Sequence, residues 1–301
     1  MLARTRRGLA AARRSLEPPV VLVPTMGALH EGHRALLRCA KSISQPNGSV
    51  LVSVFVNPLQ FGAGEDLDRY PQTLDADVRA CAEEGVDVVF APDRAQMYPG
   101  EQLITVDPGP MGQVLEGASR PGHFRGVLTV VLKLFHLTRP QVAVFGEKDA
   151  QQLALIRRMT DDLDLDVRIE SVPTVRDADG LAISSRNAHL SDSERASALA
   201  LNRALRAGAS ARPAGPEAVL AAAGQVLEEA ARATPAVTLD YLELVDPGAF
   251  TLVKPGHAGS AVLVVAGRVG LTRLIDNMPM VLGDLPGRDH GIGDAGASPI
   301  P

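Results

Sequence analysis

The sequence predicts an α/β protein: a Rossmann-like parallel sheet forming an N-terminal domain, followed by a smaller α+β C-terminal domain. Three observations predict it. Short β-branched apolar runs alternate with helical stretches as far as about residue 174, and runs apolar on both faces mark parallel strands covered by helices. The composition changes near residues 174–176, after which two long Ala-rich helices precede three strands. The chain of 301 residues is 46 % apolar, enough for a real core; with no Trp and few other aromatics, aliphatic packing must fill it. The expected division is therefore 1–174, 175–282 and a disordered Gly-, Pro- and Asp-rich tail over 283–301.

Taken in order, Met1 to Leu16 carries five arginines without a following apolar segment and reads as an opening helix rather than a signal peptide. Val20 to Pro24 reads as a buried strand and Glu31 to Ser44 as a helix closed by Gln45-Pro46-Asn47-Gly48. Ser49 to Val56 is a second strand, and Leu59 to Gly64 a flexible loop. Leu74 to Glu84 is a helix with Asp75 and Asp77 in its first turns. Acids there suit Mg²⁺, and they equally suit a helix N-terminus without any metal. Val86 to Phe90 is a third strand, and Leu103 to Val106 a short extra one. Gly117 to Gly126 reads as a flexible basic loop before the helix Val127 to Leu137, either a lid over an anion or a loop anchored by hydrogen bonds from His123. Gln141 to Gly146 and Asp166 to Val172 are strands flanking the helix Ala150 to Asp161. In the second domain, helices cover Asp192 to Ala209 and Pro216 to Ala233; strands lie near Val237 to Val245, Ala261 to Ala266 and Thr272 to Asp276.

The net charge of −5 argues against general nucleic-acid binding, while leaving room for a local basic pocket. The longest apolar stretch, Gly126 to Leu137, contains Lys133 and is too short to cross a bilayer. Cys39 and Cys81 form no CxxC pattern and fit small core residues in a reducing, cytoplasmic setting.

Four polar stretches stand at or just past predicted strand ends. The first is Pro24 to His33, in which His30 and His33 flank a helix start. A helix N-terminus suits a phosphate, and Gly32 would allow close backbone approach. The same histidine spacing suits a metal or plain capping. The second is Gln60, an amide past a strand end that suits a substrate or a turn cap. The third is Gly146-Glu147-Lys148-Asp149 with Gln152. Lys148 suits phosphate charge and Asp149 a ribose, although Lys-Asp is also an ordinary surface pair. The fourth is Ser184-Ser185-Arg186, able to cradle a phosphate or to cap a helix. A parallel sheet puts such strand ends on one edge, so together they describe one pocket for a triphosphate with amides for a smaller ligand.

As a set, these stretches resemble the pantothenate synthetase (pantoate–β-alanine ligase) family of the HIGH-type nucleotidyltransferases. The matching segments are Pro24 to His33, Ser53 to Gly62, Phe145 to Asp149 with Gln151-Gln152, and Ile183 to Asn187, with Tyr70-Pro71 and His123-Phe124. The resemblance covers nearly all of residues 1–282. It implies ATP-dependent condensation of (R)-pantoate with β-alanine to pantothenate, AMP and pyrophosphate through pantoyl adenylate. It also implies Mg²⁺, a homodimer and a hinged second domain. Carried over residue by residue, it puts ATP contacts on Met26, Gly27, Ala28, Leu29, His30, Glu31, Gly32 and His33, on Gly146, Glu147, Lys148 and Asp149, and on Val175, Ile183, Ser184, Ser185 and Arg186. Catalytic roles fall on His33 as proton donor and on His30, Lys148 and Arg186. Pantoate contacts fall on Gln60 and Gln152, with Gln60 also near β-alanine. The family's acids near the metal fall on Ala76 and Asp77, so Asp77 is the protein's one candidate and Mg²⁺ is expected mainly on ATP. Ile183 stands where relatives usually have Met, and Ala150 where they commonly have an aromatic. The residues alone leave open a different nucleotidyltransferase, a metal-dependent hydrolase using His30 and His33, and a non-catalytic nucleotide binder.

Overall fold

The computed structural model describes residues 1–62, 67 and 70–283. The tail expected beyond Gly283 and the last two residues of the Leu59 to Gly64 loop lie outside the described residues.

Six parallel strands, β1 (Leu2–Ala3), β2 (Val20–Thr25), β3 (Ser49–Val54), β4 (Val88–Phe90), β5 (Val142–Gly146) and β6 (Arg168–Val172), form one sheet in the order β1-β4-β3-β2-β5-β6. Each central strand is buried on both faces, as its unbroken apolar run requires. Val21 and Val23 point to a core shared with α2 (Glu31–Ser44) and α3 (Leu74–Glu83). Val20 and Leu22 point to the opposite core, with α1 (Arg6–Arg13), α6 (His123–Thr138) and α7 (Ala150–Asp162). Two short helices, α4 (Arg94–Met97) and α5 (Glu116–Ser119), lie between β4 and α6 in the chain. The sheet order reverses between β2 and β5. Their connections leave to opposite sides there, and a crevice opens beyond their carboxyl ends.

A second sheet, β7 (Val237–Val245), β8 (Gly259–Val269) and β9 (Thr272–Leu282), is antiparallel and packs against α8 (Asp192–Ala211) and α9 (Pro216–Ala230). Its helices and sheet share an aliphatic core of their own around Leu201, Leu205, Leu244 and Leu263.

Several expected elements differ. The opening segment is not one helix: Leu2–Ala3 adds a strand beside β4 before α1 begins, because backbone pairing with Val89 and Phe90 outweighs the local helical pattern. Leu103 to Val106 pairs with no strand among the described residues. The β8–β9 hairpin runs to Leu282, well past Asp276. The stretch Gly117 to Gly126 is not a loop. It holds most of α5 and the first turn of α6, and His123 and Phe124 are buried. Gly126 explains the misreading. It looks like a loop glycine, yet a Cβ there would lie 2.1 Å from the Leu59 carbonyl oxygen, so glycine is what lets α6 seat against the turn before Gln60.

Gly126→Ala is therefore expected to cost about 1–3 kcal/mol through overpacking. Thermal denaturation should show a midpoint lower by several degrees with the fold retained.

Candidate active site

The β2 strand ends at Thr25, and the chain turns through Gly27 (φ +88°) and Ala28 (φ +51°) before entering α2. A non-glycine residue in the left-handed region is costly unless held. Asp77 on α3 holds it. Its carboxylate accepts the N–H of Ala28 at 3.2 Å and of Leu29 at 2.8 Å, and the Thr73 hydroxyl reaches both of its oxygens. Asp77 is 2 % exposed. Its oxygens brace the turn, a role that its place in the sequence did not announce. Among the described residues, no group of three or more His, Cys, Asp and Glu side chains is arranged to hold a metal ion.

The turn presents His30 and His33 together. Their rings lie against each other, centroids 4.0 Å apart. The His30 backbone N–H donates to His33 Nδ1 at 3.3 Å. An Nδ1 that accepts leaves the ring proton on Nε2, so neutral His33 is a fixed Nε2–H donor. Burial, then the neighbouring His30, push the His33 pKa from 6.5 down to about 3. His30 is lowered by burial and then by Lys148, and its buried Nδ1 has no hydrogen-bond partner. A buried polar atom without a partner inside a cavity is what a ligand would satisfy. Gly32 also leaves room for His30, since a Cβ there would come within 3.0 Å of the His30 ring.

Gln60 is oriented by a chain of side-chain hydrogen bonds. Tyr98 Oη donates to Asn57 Oδ1 at 2.8 Å, and Asn57 Nδ2 donates to Gln60 Oε1 at 3.1 Å and to the Gly126 carbonyl. Burial raises the Tyr98 pKa, keeping it a donor. With Gln60 Oε1 occupied, its Nε2 faces the cavity beside Met26 Sδ. His123 Nδ1 donates to the Gln60 carbonyl at 2.8 Å, and its Nε2 accepts from Arg120 at 3.1 Å. His123 thus anchors this stretch by hydrogen bonds and braces Gln60, the second of the two roles expected for it.

A cavity of about 250 Å³ collects the expected residues Met26, His30, Gly32, His33, Gln60, Gly146, Lys148, Asp149, Gln152, Val175, Ile183, Ser184, Ser185 and Arg186. It opens into a larger cleft of about 870 Å³ that shares Lys148, Asp149, Gln152, Ser184 and Arg186. Gly27, Ala28, Leu29, Glu31 and Glu147 do not line the smaller cavity. The Ala28 and Leu29 N–H groups are taken by Asp77, Glu31 pairs with Arg38 at 2.6 Å, and Glu147 accepts the Ser171 hydroxyl. Tyr70, Arg120, His123 and the apolar wall of Val127, Val130, Val131 and Leu134 also line the cavity. Tyr70 and His123 stood among the matching segments, whereas the apolar face of α6 was readable in the sequence as core and not as the wall of a site.

The second sheet reaches this site directly. Glu116 of α5 accepts both guanidinium nitrogens of Arg273 and the Tyr241 hydroxyl. Arg176 forms a bidentate pair with Asp276 at 2.6 and 2.8 Å, and Asn277 donates to the carbonyls of Glu147 and Lys148. Nothing in the sequence announced these partners, which lie about a hundred residues or more apart.

The family model for pantoate-beta-alanine ligase matches residues 2–279. A pantothenate synthetase from Thermobifida fusca is 64 % identical over 269 residues, covering 87 % of this chain and 90 % of the relative. The crystal structure of a pantothenate synthetase from Thermus thermophilus superposes with a TM-score of 0.84 at 46 % identity, covering 92 % of this chain and 98 % of the other. A pantoate-beta-alanine ligase from Francisella tularensis, complexed with beta-gamma ATP and beta-alanine, superposes at 0.74 with 34 % identity, covering 92 % and 97 %.

The histidine pair gives a pH prediction. Between about pH 6.5 and 3 the unfolded chain binds a proton at His33 that the folded chain does not. Stability rises with pH where the unfolded state binds more protons, so it falls as pH is lowered through this window. The thermal midpoint should drop on acidification below about pH 6.5, and the drop should be shallower in His33→Gln.

Proposed function

The chain belongs to the pantoate-beta-alanine ligase family, and on that premise we propose that the crevice beyond β2 and β5 binds ATP beside pantoate. The enzyme is an ATP-dependent ligase that condenses pantoate with β-alanine through pantoyl adenylate, yielding pantothenate, AMP and pyrophosphate. The observation that carries the site assignment is the convergence of His30 and His33 after β2, Lys148 after β5 and Ser184-Ser185-Arg186 from the linker on one cavity.

In this reading a pantoate carboxylate oxygen attacks the α-phosphorus. The bond to the bridging oxygen of pyrophosphate breaks and pyrophosphate leaves. The β-alanine amine then attacks the acyl carbon, loses a proton and displaces AMP. No covalent enzyme intermediate is needed; the work is alignment and stabilisation of phosphate charge. Lys148 and Arg186 supply positive charge. The resemblance makes His33 a proton donor. Its low pKa and fixed Nε2–H make it instead a neutral hydrogen-bond donor to a phosphate oxygen, with His30 completing its free nitrogen on the same ligand. The Gln60 Nε2 donors suit the pantoate carboxylate or hydroxyls, and Gln152 lines the same wall.

Mg²⁺ is proposed to arrive on the ATP phosphates, in keeping with the committed carboxylate of Asp77. The His30–His33 pair, ring against ring with one nitrogen already occupied, does not favour a hydrolase metal centre. We also propose a homodimer, for which Leu103 and Ile104, 79 % and 80 % exposed, offer apolar surface. A division near residues 174–176 with relative movement of the two parts belongs to the same proposal, as does a cytoplasmic setting, supported by the free Cys39 and Cys81. No helix among the described residues is long and apolar enough to cross a membrane.

Lys148→Ala should lower pantoate-dependent ATP–pyrophosphate exchange by about 10²-fold or more. His33→Gln, which keeps a neutral N–H donor, should retain more of that exchange than His33→Ala; equal loss in both would count against a donor role. Asp77→Asn should lower the thermal midpoint and leave the Mg²⁺ dependence of the reaction unchanged.

A further inference from the structure

We propose that Asn277, working with Asp276, is a positioning residue that sets Lys148 against Ser184, Ser185 and Arg186; the proposal rests on Lys148 binding ATP phosphate. Both residues are buried in the middle of β9, in the second sheet, where they line the larger cleft beside Lys148 and Arg186. The Asn277 amide spends its Nδ2 donors on the carbonyls of Glu147 and Lys148, at 2.8 and 2.9 Å. Those carbonyls belong to the single turn between β5 and α7 that roots the Lys148 side chain. Asp276 grips the other half of the cradle. Its carboxylate takes both guanidinium nitrogens of Arg176 and also accepts the Asn277 backbone N–H at 2.8 Å. Arg176 pairs through its backbone with Ala182, and Ile183 N–H donates to the Val175 carbonyl at 3.0 Å. The base of the hairpin that delivers Ser184 to Arg186 is thereby fixed to the same point of β9.

A lysine has a long, freely rotating stem, so the reach of its ammonium depends on where its backbone is held. Displacements of about 1 Å in such groups can cost 10²-fold in rate. Two neighbouring residues on one rigid strand hold both cradle halves, so in this arrangement of the two parts the second sheet fixes the Lys148 backbone against Ser184 to Arg186. Asn277 suits this task because it is neutral and carries two N–H donors on one nitrogen. An Asp would set a carboxylate against two carbonyl oxygens.

The test is a double-mutant cycle on the full-length enzyme, read by ATP affinity in calorimetry and by KM and kcat in ATP–pyrophosphate exchange. Asn277→Ala should weaken ATP about tenfold or more and raise the KM for ATP while leaving that for β-alanine, read in the complete reaction, within about twofold. In a Lys148→Ala background the further loss should shrink to about twofold or less, because the positioned group is gone. Combined with Gln60→Ala, which touches neither residue, the Asn277→Ala effect should persist in full. Equal losses with and without Lys148 would overturn the proposal and make Asn277 a general packing residue. Unchanged ATP affinity in Lys148→Ala alone would overturn the assignment of Lys148, and the proposal with it, and is recognised from that single variant. Should Asn277→Ala fail to fold, Asn277→Ser, which keeps one short donor, carries the same cycle with the same outcomes.

Discussion

The adjacency of β2 and β5 in a parallel sheet is the constraint on which the remaining architecture depends. Parallel strands need helical crossovers, and where two neighbours send theirs to opposite faces nothing covers the carboxyl edge between them. The turn after β2 and the turn after β5 open onto that gap. Both supply groups suited to a nucleotide: the imidazoles of His30 and His33 on one side, Lys148 for phosphate charge and Asp149 for a ribose on the other. The third wall, carrying Ser184 to Arg186, comes from the linker to the second sheet, which is why that sheet has to be anchored to the first.

The anchoring joins a small apolar cluster, Ala154 with Val245, Phe250, Val262 and Val264, to buried polar contacts. Glu116 with Arg273 and Tyr241, Arg176 with Asp276, and Asn277 with two carbonyls are each largely withdrawn from water. Buried ion pairs contribute little net stability against apolar residues of the same size, because desolvation offsets the attraction. They do penalise any arrangement that separates the partners, since an unpaired buried charge is expensive. Their contribution here is thus to the uniqueness of the geometry across the crevice.

Within the site, hydrogen bonding decides which atom each side chain offers. Gln60 presents its NH₂ because Asn57, itself set by Tyr98, occupies its carbonyl oxygen. His33 presents Nε2–H because a backbone N–H occupies Nδ1. Both are left as donors of the kind that phosphate and carboxylate oxygens accept, and neither needs a permanent charge.

The sequence alone determined the parallel-sheet class, the positions of β2, α2, β7 and most other elements, and the set of polar stretches that meet at the crevice. These are legible because apolar periodicity and glycine or proline punctuation act over a few residues, and strand ends in a parallel sheet share an edge. Only the tertiary structure decided which residues of each stretch face the cavity. Asp77 read as an acid at a helix start, and its bracing of Ala28 and Leu29 shows only in the fold. Gly126 looked like a loop residue and is a contact point between a helix and a turn. Asn277, Asp276 and Glu116 carried no local signal at all, since their roles lie in partners about a hundred residues or more away. A side chain's type sets what it can bond. Its distant neighbours, settled only when the chain closes on itself, set what it does bond.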